Sequence, residues 1–238
     1  MEEKKRIKTY ISGFDDILDG GIPEEHIVLI SGGPGTYKSS ITLNLLSNNV
    51  GTDDNRAVYI SLEESKESLE ATARGLGLKG WDERDLLIAD VSKIRLEQKE
   101  ADTAKNWMNI LEKYIMRRVS EGFNLVAIDS MSALDSLTEF SNPRKELFQF
   151  FGFLKNLDIT VFMITEAYDE QEKYGRYGED FLSDGIIQLK YRHVSETEIQ
   201  LWIRCVKMRQ VEHTKNYYAL LFEQGKFQIA RVISERWK

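Results

Sequence analysis

Short apolar runs alternate with segments of helical periodicity through the first two thirds of the chain. Amphipathic spacing predicts helices over 65–77, 103–121 and 143–156, the last with Pro143 in its first turn. Strands that alternate with helices in this way favour an α/β fold with a mostly parallel sheet, covered on both faces. The apolar runs predict buried strands over 27–31, 57–61, 86–89, 124–129 and 159–165.

The last third of the chain has a different pattern, in which strand-like segments are separated by polar turns. Glu223 to Lys226 has the composition of a hairpin turn. We therefore expect antiparallel strands at one edge of the sheet. These segments cover 186–190, 198–206, 217–222 and 227–230.

Composition narrows the class of protein. With 42% hydrophobic and 30% charged residues, and no linker or repeat, residues 1–238 are expected to form a single soluble domain. No apolar run approaches the roughly 20 residues of a membrane span. The charged start, Met1 to Arg6, predicts no secretory signal, and the single cysteine, Cys205, favours a reducing cytoplasm. A net charge of −7 disfavours polyanions as default partners.

The first strand leads into a glycine-rich turn that nearly matches the phosphate-binding pattern G-x-x-x-x-G-K-[ST]. Such a loop turns backbone N–H groups toward phosphate oxygens, and the following helix directs its positive end at the same place. Lys38 would contact the β- and γ-phosphates, and the hydroxyl of Ser39 would bind Mg²⁺. The candidate nucleotide-binding residues are Gly32, Gly33, Pro34, Gly35, Thr36, Tyr37, Lys38, Ser39 and Ser40.

Tyr37 stands where this pattern has glycine. Because it falls where the helix begins, an ordinary negative φ is expected, with the ring directed away from the phosphates and the N–H still free to donate. The alternative is a relic loop that is too crowded to bind a nucleotide.

Carboxylates follow two of the predicted strands. Asp129 ends the fourth strand, where a carboxylate can hold Mg²⁺ opposite the phosphate-binding loop; the alternative is a solvated turn residue. Glu63 and Glu64 follow the second strand and could polarise a water molecule for phosphoryl transfer. An acidic helix start would explain the same pair.

Lys207 and Arg209 occupy alternate positions near the end of a predicted strand, so both cations would point the same way. They could reach a γ-phosphate that is bound by a neighbouring subunit, as arginine fingers do. The alternative is a solvated basic face of the strand.

Together these segments resemble a single-domain, archaeal-type KaiC-like ATPase of the RecA superfamily. The resemblance covers about residues 7 to 231. It rests most on ISGFDDILDGGIP at 11–23 and VKMR at 206–209, with support from the phosphate-binding loop, SLEES at 61–65, AIDS at 127–130 and LSDGII at 182–187.

The resemblance implies a RecA-like αβα sandwich that assembles as a homo-oligomer, usually a hexameric ring, with ATP and Mg²⁺ between subunits. It implies that Glu63 and Glu64 activate water and that Asp129 is the Walker B carboxylate. Lys207, Met208 and Arg209 would enter the neighbouring nucleotide site, with His213 near the same nucleotide.

Departures from the family pattern keep several functions open. The clock member autophosphorylates a Ser-Thr pair that falls here on Asp180-Phe181, so that kinase chemistry is not implied. Gln210 replaces a common glycine, which leaves the local turn open. A slowly hydrolysing ring ATPase acting as a regulatory or assembly switch and an ATP-binding scaffold with little turnover are the leading hypotheses, either with a regulatory protein partner.

A recombinase-type binder of single-stranded DNA is a third hypothesis. The candidate loop, 166–180, contains six acidic and two basic residues, a charge that opposes phosphate. Its three tyrosines could stack on bases, so the test of this hypothesis is salt-sensitive binding of single-stranded DNA.

Overall fold

The computed structural model describes residues 5–52, 54–78, 84–97, 107–166 and 174–232. The strands are β1 (Arg6–Ile7), β2 (Ile11–Ser12), β3 (Ile22–Pro23), β4 (Ile27–Gly32), β5 (Ala57–Ser61), β6 (Leu86–Asp90), β7 (Leu125–Asp129), β8 (Thr160–Glu166), β9 (Gly185–His193), β10 (Ile199–Met208), β11 (Tyr218–Glu223) and β12 (Lys226–Arg231). The helices are α1 (Phe14–Ile17), α2 (Lys38–Asn49), α3 (Lys66–Gly75), α4 (Val91–Glu97), α5 (Trp107–Ser120), α6 (Met131–Leu137), α7 (Pro143–Lys155) and α8 (Glu179–Leu182).

Within the described ranges, ten strands form one sheet in the order β2-β12-β11-β10-β9-β4-β8-β7-β5-β6. The pairs from β9 to β6 are parallel, whereas β9 to β12 pair in antiparallel fashion. The predicted antiparallel edge is confirmed, with one correction: β9, which was grouped with that edge, also runs parallel to β4. The edge begins only where the tight turn after β9 reverses the chain.

Helices cover both faces of the sheet, as the α/β pattern predicts. Val28 and Ile30 of β4 pack toward one core, which includes side chains of α2 and α3. Ile27 and Leu29 point to the opposite core, which includes side chains of α5, α6 and α7. This alternation along one buried strand produces the predicted αβα sandwich.

The long elements lie close to their predicted positions, and the short ones were missed. Helix α5 begins at Trp107, and residues 103–106 of its predicted span lie outside the described residues. The elements with no predicted counterpart, β1 to β3, α1, α4, α6 and α8, are two to seven residues long. Hydrophobic periodicity needs a longer window than that.

Two further findings bear on the sequence-based expectations. In the part of the chain that the structure describes, no helix has both the length and the apolar character needed to cross a bilayer. Cys205 is buried on β10, and burial raises the pKa of its thiol to about 12. The thiol is therefore protonated and unreactive at neutral pH.

Asp184 joins three elements at the amino end of β4. Its Oδ2 accepts a hydrogen bond from the N–H of Ile27 at 3.1 Å, and its Oδ1 lies 3.1 Å from Lys155 Nζ and 2.7 Å from Arg209 NH1. Burial opposes the charge of this carboxylate, but these donors outweigh it and lower its pKa. Asp184 thus ties β4 to α7 and to the end of β10.

Asp184→Asn is expected to lower the free energy of unfolding by about 1–3 kcal/mol, because it removes the charge that both cations bind. Urea denaturation measures this. A lowered pKa stabilises the fold above the ordinary aspartate value of 3.8, and that stabilisation is lost as pH falls through the lower folded value. The difference in unfolding free energy between the wild type and Asp184→Asn should therefore vanish in acid. The matched control is Asp158→Asn, an exposed position; an equal loss there would contradict the role of Asp184.

Candidate functional site

The loop between β4 and α2 has the shape that phosphate binding requires. A Cβ on Gly32 would lie 2.5 Å from Thr36 Oγ1 and 2.7 Å from the carbonyl oxygen of Leu189, so this position excludes any side chain. Thr36 closes the turn by donating to the carbonyl of Gly33 at 2.7 Å. A Cβ on Gly33 would meet nothing within 4 Å, so this part of the loop borders open space.

Helix α2 begins at Lys38 without a side-chain cap, so its first N–H groups face the loop. Lys38 folds back over the loop and donates to the carbonyls of Gly32 and Gly33, each at 2.9 Å. Pro34 and Gly35 are exposed, while Ser39 and Ser40 are half-buried in the first turn. Uncapped N–H groups and an ammonium at one point form an anion site.

Tyr37 does not have the ordinary negative φ that we expected. Its φ is 63°, in the left-handed region, and it immediately precedes α2. The turn keeps the geometry that glycine would supply, which costs a tyrosine about 1–2 kcal/mol. Its ring packs on Phe222 and Phe227, with centroids 6.5 and 6.0 Å away, and this packing offsets part of that cost. Gln210 likewise adopts a positive φ, 62°, where a glycine is common.

Asp129 lies at the carboxyl end of β7, beside the start of α2. Its Oδ2 accepts hydrogen bonds from Ser39 Oγ at 2.8 Å and from the hydroxyl of Tyr59. It is 6% exposed, which excludes the solvated turn residue of the alternative interpretation. Burial raises the pKa of this carboxyl, and the charges of Glu63 and Glu64 add to the effect.

Glu63 and Glu64 are both exposed but point in different directions. Glu63 Oε1 accepts a hydrogen bond from Ser130 Oγ at 2.6 Å, which holds it beside Asp129. Glu64 Oε2 instead accepts from Ser68 Oγ in α3 at 2.7 Å, and its N–H donates to Ser61 Oγ. The two carboxylates are therefore unequal, because only Glu63 is fixed against the carboxyl end of β7.

Three carboxylates act electrostatically on the ammonium of Lys38. Burial lowers its pKa, and the charges of Asp129, Glu166 and Glu63 oppose that shift. Glu166 ends β8 directly beside Gly32 of β4. In the sequence, Glu166 begins the acidic loop 166–180, and it also satisfies the criterion that identifies Asp129, a carboxylate at the end of a strand.

Other residues of the site carried no signal in the sequence. Tyr59 lies inside a buried strand, where a tyrosine is ordinary core, and only the tertiary structure shows its bond to Asp129. Tyr191 donates to the carbonyl of Gly35 at 2.8 Å across 156 positions of sequence. Ser130 belongs to the AIDS segment that resembles the family, and only the tertiary structure shows its bond to Glu63.

Lys207 and Arg209 lie away from this loop. Lys207 Nζ donates to the carbonyls of Asp180 and Ser183 at 3.0 and 2.6 Å, and Arg209 binds Asp184. These partners sit at the amino end of β4, and the six residues of that strand separate them from Gly32 by roughly 16 Å. Neither cation can therefore serve the loop of its own chain.

The remaining predicted residues, Met208 and His213, lie at the end of β10 and shortly after it. Met208 is buried against Gly185, so its side chain belongs to the core. Only the backbone of Met208 could therefore contact a nucleotide. His213 is half-buried in the segment after β10, with Nδ1 3.2 Å from the carbonyl of Thr214. Residues 167–173, nearly half of the candidate DNA loop, lie outside the described residues.

Comparison with known proteins identifies relatives that match most of this chain. The circadian clock oscillator protein KaiC of Prochlorococcus marinus (strain MIT 9313) is 32% identical over 222 residues, which are 90% of this chain and 44% of that protein. The chain thus spans less than half the length of this relative. A UPF0273 protein of Sulfurisphaera tokodaii is 32% identical over 224 residues, which are 87% of this chain and 78% of that protein.

The fold also matches a solved structure. The crystal structure of a KaiC-like protein from Pyrococcus horikoshii OT3 superposes with a TM-score of 0.80 at 24% identity, covering 96% of this chain and all of that one. A family model described as "ATPase: KaiC" matches residues 7–232. The chain therefore belongs to the KaiC ATPase family, as a RecA-like P-loop ATPase domain.

Proposed function

We propose that this protein is a single-domain ATPase that binds Mg-ATP at the interfaces of a homo-oligomeric ring, expected to be hexameric, and hydrolyses it slowly as a regulatory or assembly switch. The observation that carries the proposal is the convergence of Lys38, Ser39, Asp129 and Glu63 at one edge of the sheet. A cytoplasmic location belongs to the proposal, because a single cysteine can form no disulfide within the chain and therefore fits a reducing compartment.

In this proposal Glu63 acts on the attacking water. Its carboxylate accepts a proton as the water oxygen bonds to the γ-phosphorus and the bond from that phosphorus to the bridging oxygen of ADP breaks. Ser130 holds Glu63 in place. Glu64, which is hydrogen-bonded to Ser68 of α3, supports the arrangement as a positioning residue. Lys38 and the N–H groups of α2 neutralise the triphosphate.

The residues present fit a magnesium ion. Ser39 Oγ and Asp129 supply hard oxygen ligands. The hydrogen-bond donors to the buried carboxylate of Asp129 are neutral hydroxyls, so a bound cation would offset the energetic cost of burying its charge. Among the described residues no group of three or more histidine, cysteine or acidic side chains could hold a metal alone. Phosphate oxygens and water would complete the shell. When bound, the ion would neutralise charge on the phosphates.

The basic pair completes the site of the next subunit. Lys207 and Arg209 lie at the end of β4 opposite the loop, so a head-to-tail contact between copies would bring them to a neighbouring phosphate. In the neighbouring site, Met208 would contribute its backbone, and His213 would lie near the same nucleotide. Arg209 keeps 48% of its side chain exposed while it binds Asp184. A ring follows if that rotation closes.

One observation favours the second candidate, a nucleotide-gated scaffold with little hydrolysis. Tyr37 holds a left-handed conformation and locks the loop against Phe222 and Phe227. A rigid loop could bind ATP yet turn it over poorly. Under this alternative the chain would assemble with Mg-ATP and release no phosphate. A regulatory protein partner fits either candidate.

Glu63→Gln is expected to slow phosphate release by about 100-fold or more while assembly with Mg-ATP persists, because the water loses its proton acceptor. Sedimentation velocity with and without Mg-ATP, with phosphate release followed on the same sample, measures both properties. Glu64→Gln is the matched control and should cost much less. Equal losses in the two variants would contradict the assignment. Wild-type assembly without phosphate release would establish the scaffold.

Mixing two inactive variants tests whether Arg209 acts on the nucleotide site of a neighbouring subunit. Lys38→Ala should abolish nucleotide binding, and Arg209→Ala should slow phosphate release by about 1,000-fold or more, the range of arginine fingers. A mixed ring contains interfaces that pair an intact loop from one variant with an intact Arg209 from the other. Part of the activity should therefore return on mixing. If no mixing ratio restores phosphate release, Arg209 does not act across an interface.

Asp129→Asn is expected to raise the thermal midpoint of the nucleotide-free protein, because it removes a buried charge whose partners are neutral. Burial raises the pKa above 3.8, so the charge costs stability at neutral pH and the gain should disappear in acid. With Mg-ATP at about 100 times its Kd, the wild type should have the higher thermal midpoint, since ligand binding adds about 2.7 kcal/mol to its free energy of unfolding. Differential scanning calorimetry measures both conditions. A variant that Mg-ATP stabilises as much as the wild type would contradict the metal role.

A further inference from the structure

An apolar cavity of about 430 Å³ opens beside the phosphate-binding loop. Its size falls within the range of small-molecule sites. Residues from the loop, β9, β10, β11 and β12 form it, principally Tyr37, Tyr191, Leu201, Leu220, Phe222 and Phe227.

Aromatic rings form the wall of this cavity that is nearest to the loop. Tyr37 stacks on Phe222 with an angle of 28° between the ring planes, and Phe222 lies 4.7 Å from Phe227. Tyr37 is nevertheless 44% exposed, so part of its ring is open to a ligand. A strained residue with a partly exposed ring at the mouth of a cavity points to a role in binding.

The cavity adjoins the phosphate-binding loop. Tyr37 directly precedes Lys38, and Tyr191 binds the carbonyl of Gly35, so both tyrosines join the cavity wall to the loop. Among the described residues that line the cavity, Glu198 is the one charged group. An anion would be repelled here, whereas a neutral flat heterocycle would gain apolar contact and stacking.

We propose that the Tyr37–Phe222 aromatic wall receives the base of the nucleotide whose phosphates lie on the loop. The inference rests on the proposed function, since it requires the triphosphate to bind there. It assigns to Tyr37 a role that glycine could not have. The side chain at the position that departs from the motif would contribute affinity through the base, while its N–H remains part of the anion site.

Calorimetric titration of the full chain with Mg-ATP and with magnesium tripolyphosphate tests the proposal, because the second probe has the phosphates and no base. The variants are Tyr37→Leu and Phe222→Leu. Each should weaken ATP binding about 5-fold or more, the lower range of base stacking on an aromatic ring. In Phe222→Leu, which leaves every residue of the loop in place, tripolyphosphate binding should be unchanged. The matched control is Phe148→Leu, at an exposed phenylalanine of α7, and it should leave both affinities unchanged.

The other outcomes are distinct from one another. Unchanged ATP affinity in Tyr37→Leu and Phe222→Leu would overturn the base site while the proposed function stands. Equal losses for ATP and tripolyphosphate in Phe222→Leu would also overturn it, since the ring would then act only through the shape of the loop. If the wild type binds neither probe, the proposed function itself fails, and the base site with it.

Discussion

The structure depends most on β4, a strand of six buried residues that pairs in parallel with β8 on one side and β9 on the other. A strand so enclosed has no solvent to satisfy its backbone, so its register is fixed by both neighbours. Each end of β4 carries a functional feature. The phosphate-binding loop leaves its carboxyl end, and Asp184 holds its amino end to Arg209 and Lys155.

Parallel pairing also explains why the carboxylates meet. Asp129, Glu63 and Glu166 lie at or just beyond the carboxyl ends of three strands, and a parallel sheet brings those ends to one edge. Lys38 is the cation that their charges act on, and burial opposes its own charge. Such an edge is electrostatically costly by itself, and its arrangement suits a polyanion that arrives together with a divalent cation.

Strand β4 also separates the phosphate-binding loop from the basic pair. The loop and the pair Lys207 and Arg209 occupy opposite ends of β4, so a nucleotide site that used both would need two copies of the chain. Arg209 donates a hydrogen bond to the carboxylate of Asp184, and Lys207 donates to the carbonyls of Asp180 and Ser183. Tyr37 departs from the motif, and contact with Phe222 and Phe227 stabilises its strained backbone.

The sequence determined the layered α/β architecture, the loop with Lys38 and Ser39, and the carboxylate at Asp129, because apolar period and motif spacing are local properties. The sequence did not predict short elements such as α6 and α8, since a few residues are too short to show hydrophobic periodicity. Only the tertiary structure distinguished Glu63 from Glu64, added Glu166 and Tyr59 to the site, and corrected the φ of Tyr37. These features depend on contacts between residues far apart in the chain, and a linear pattern does not specify such contacts.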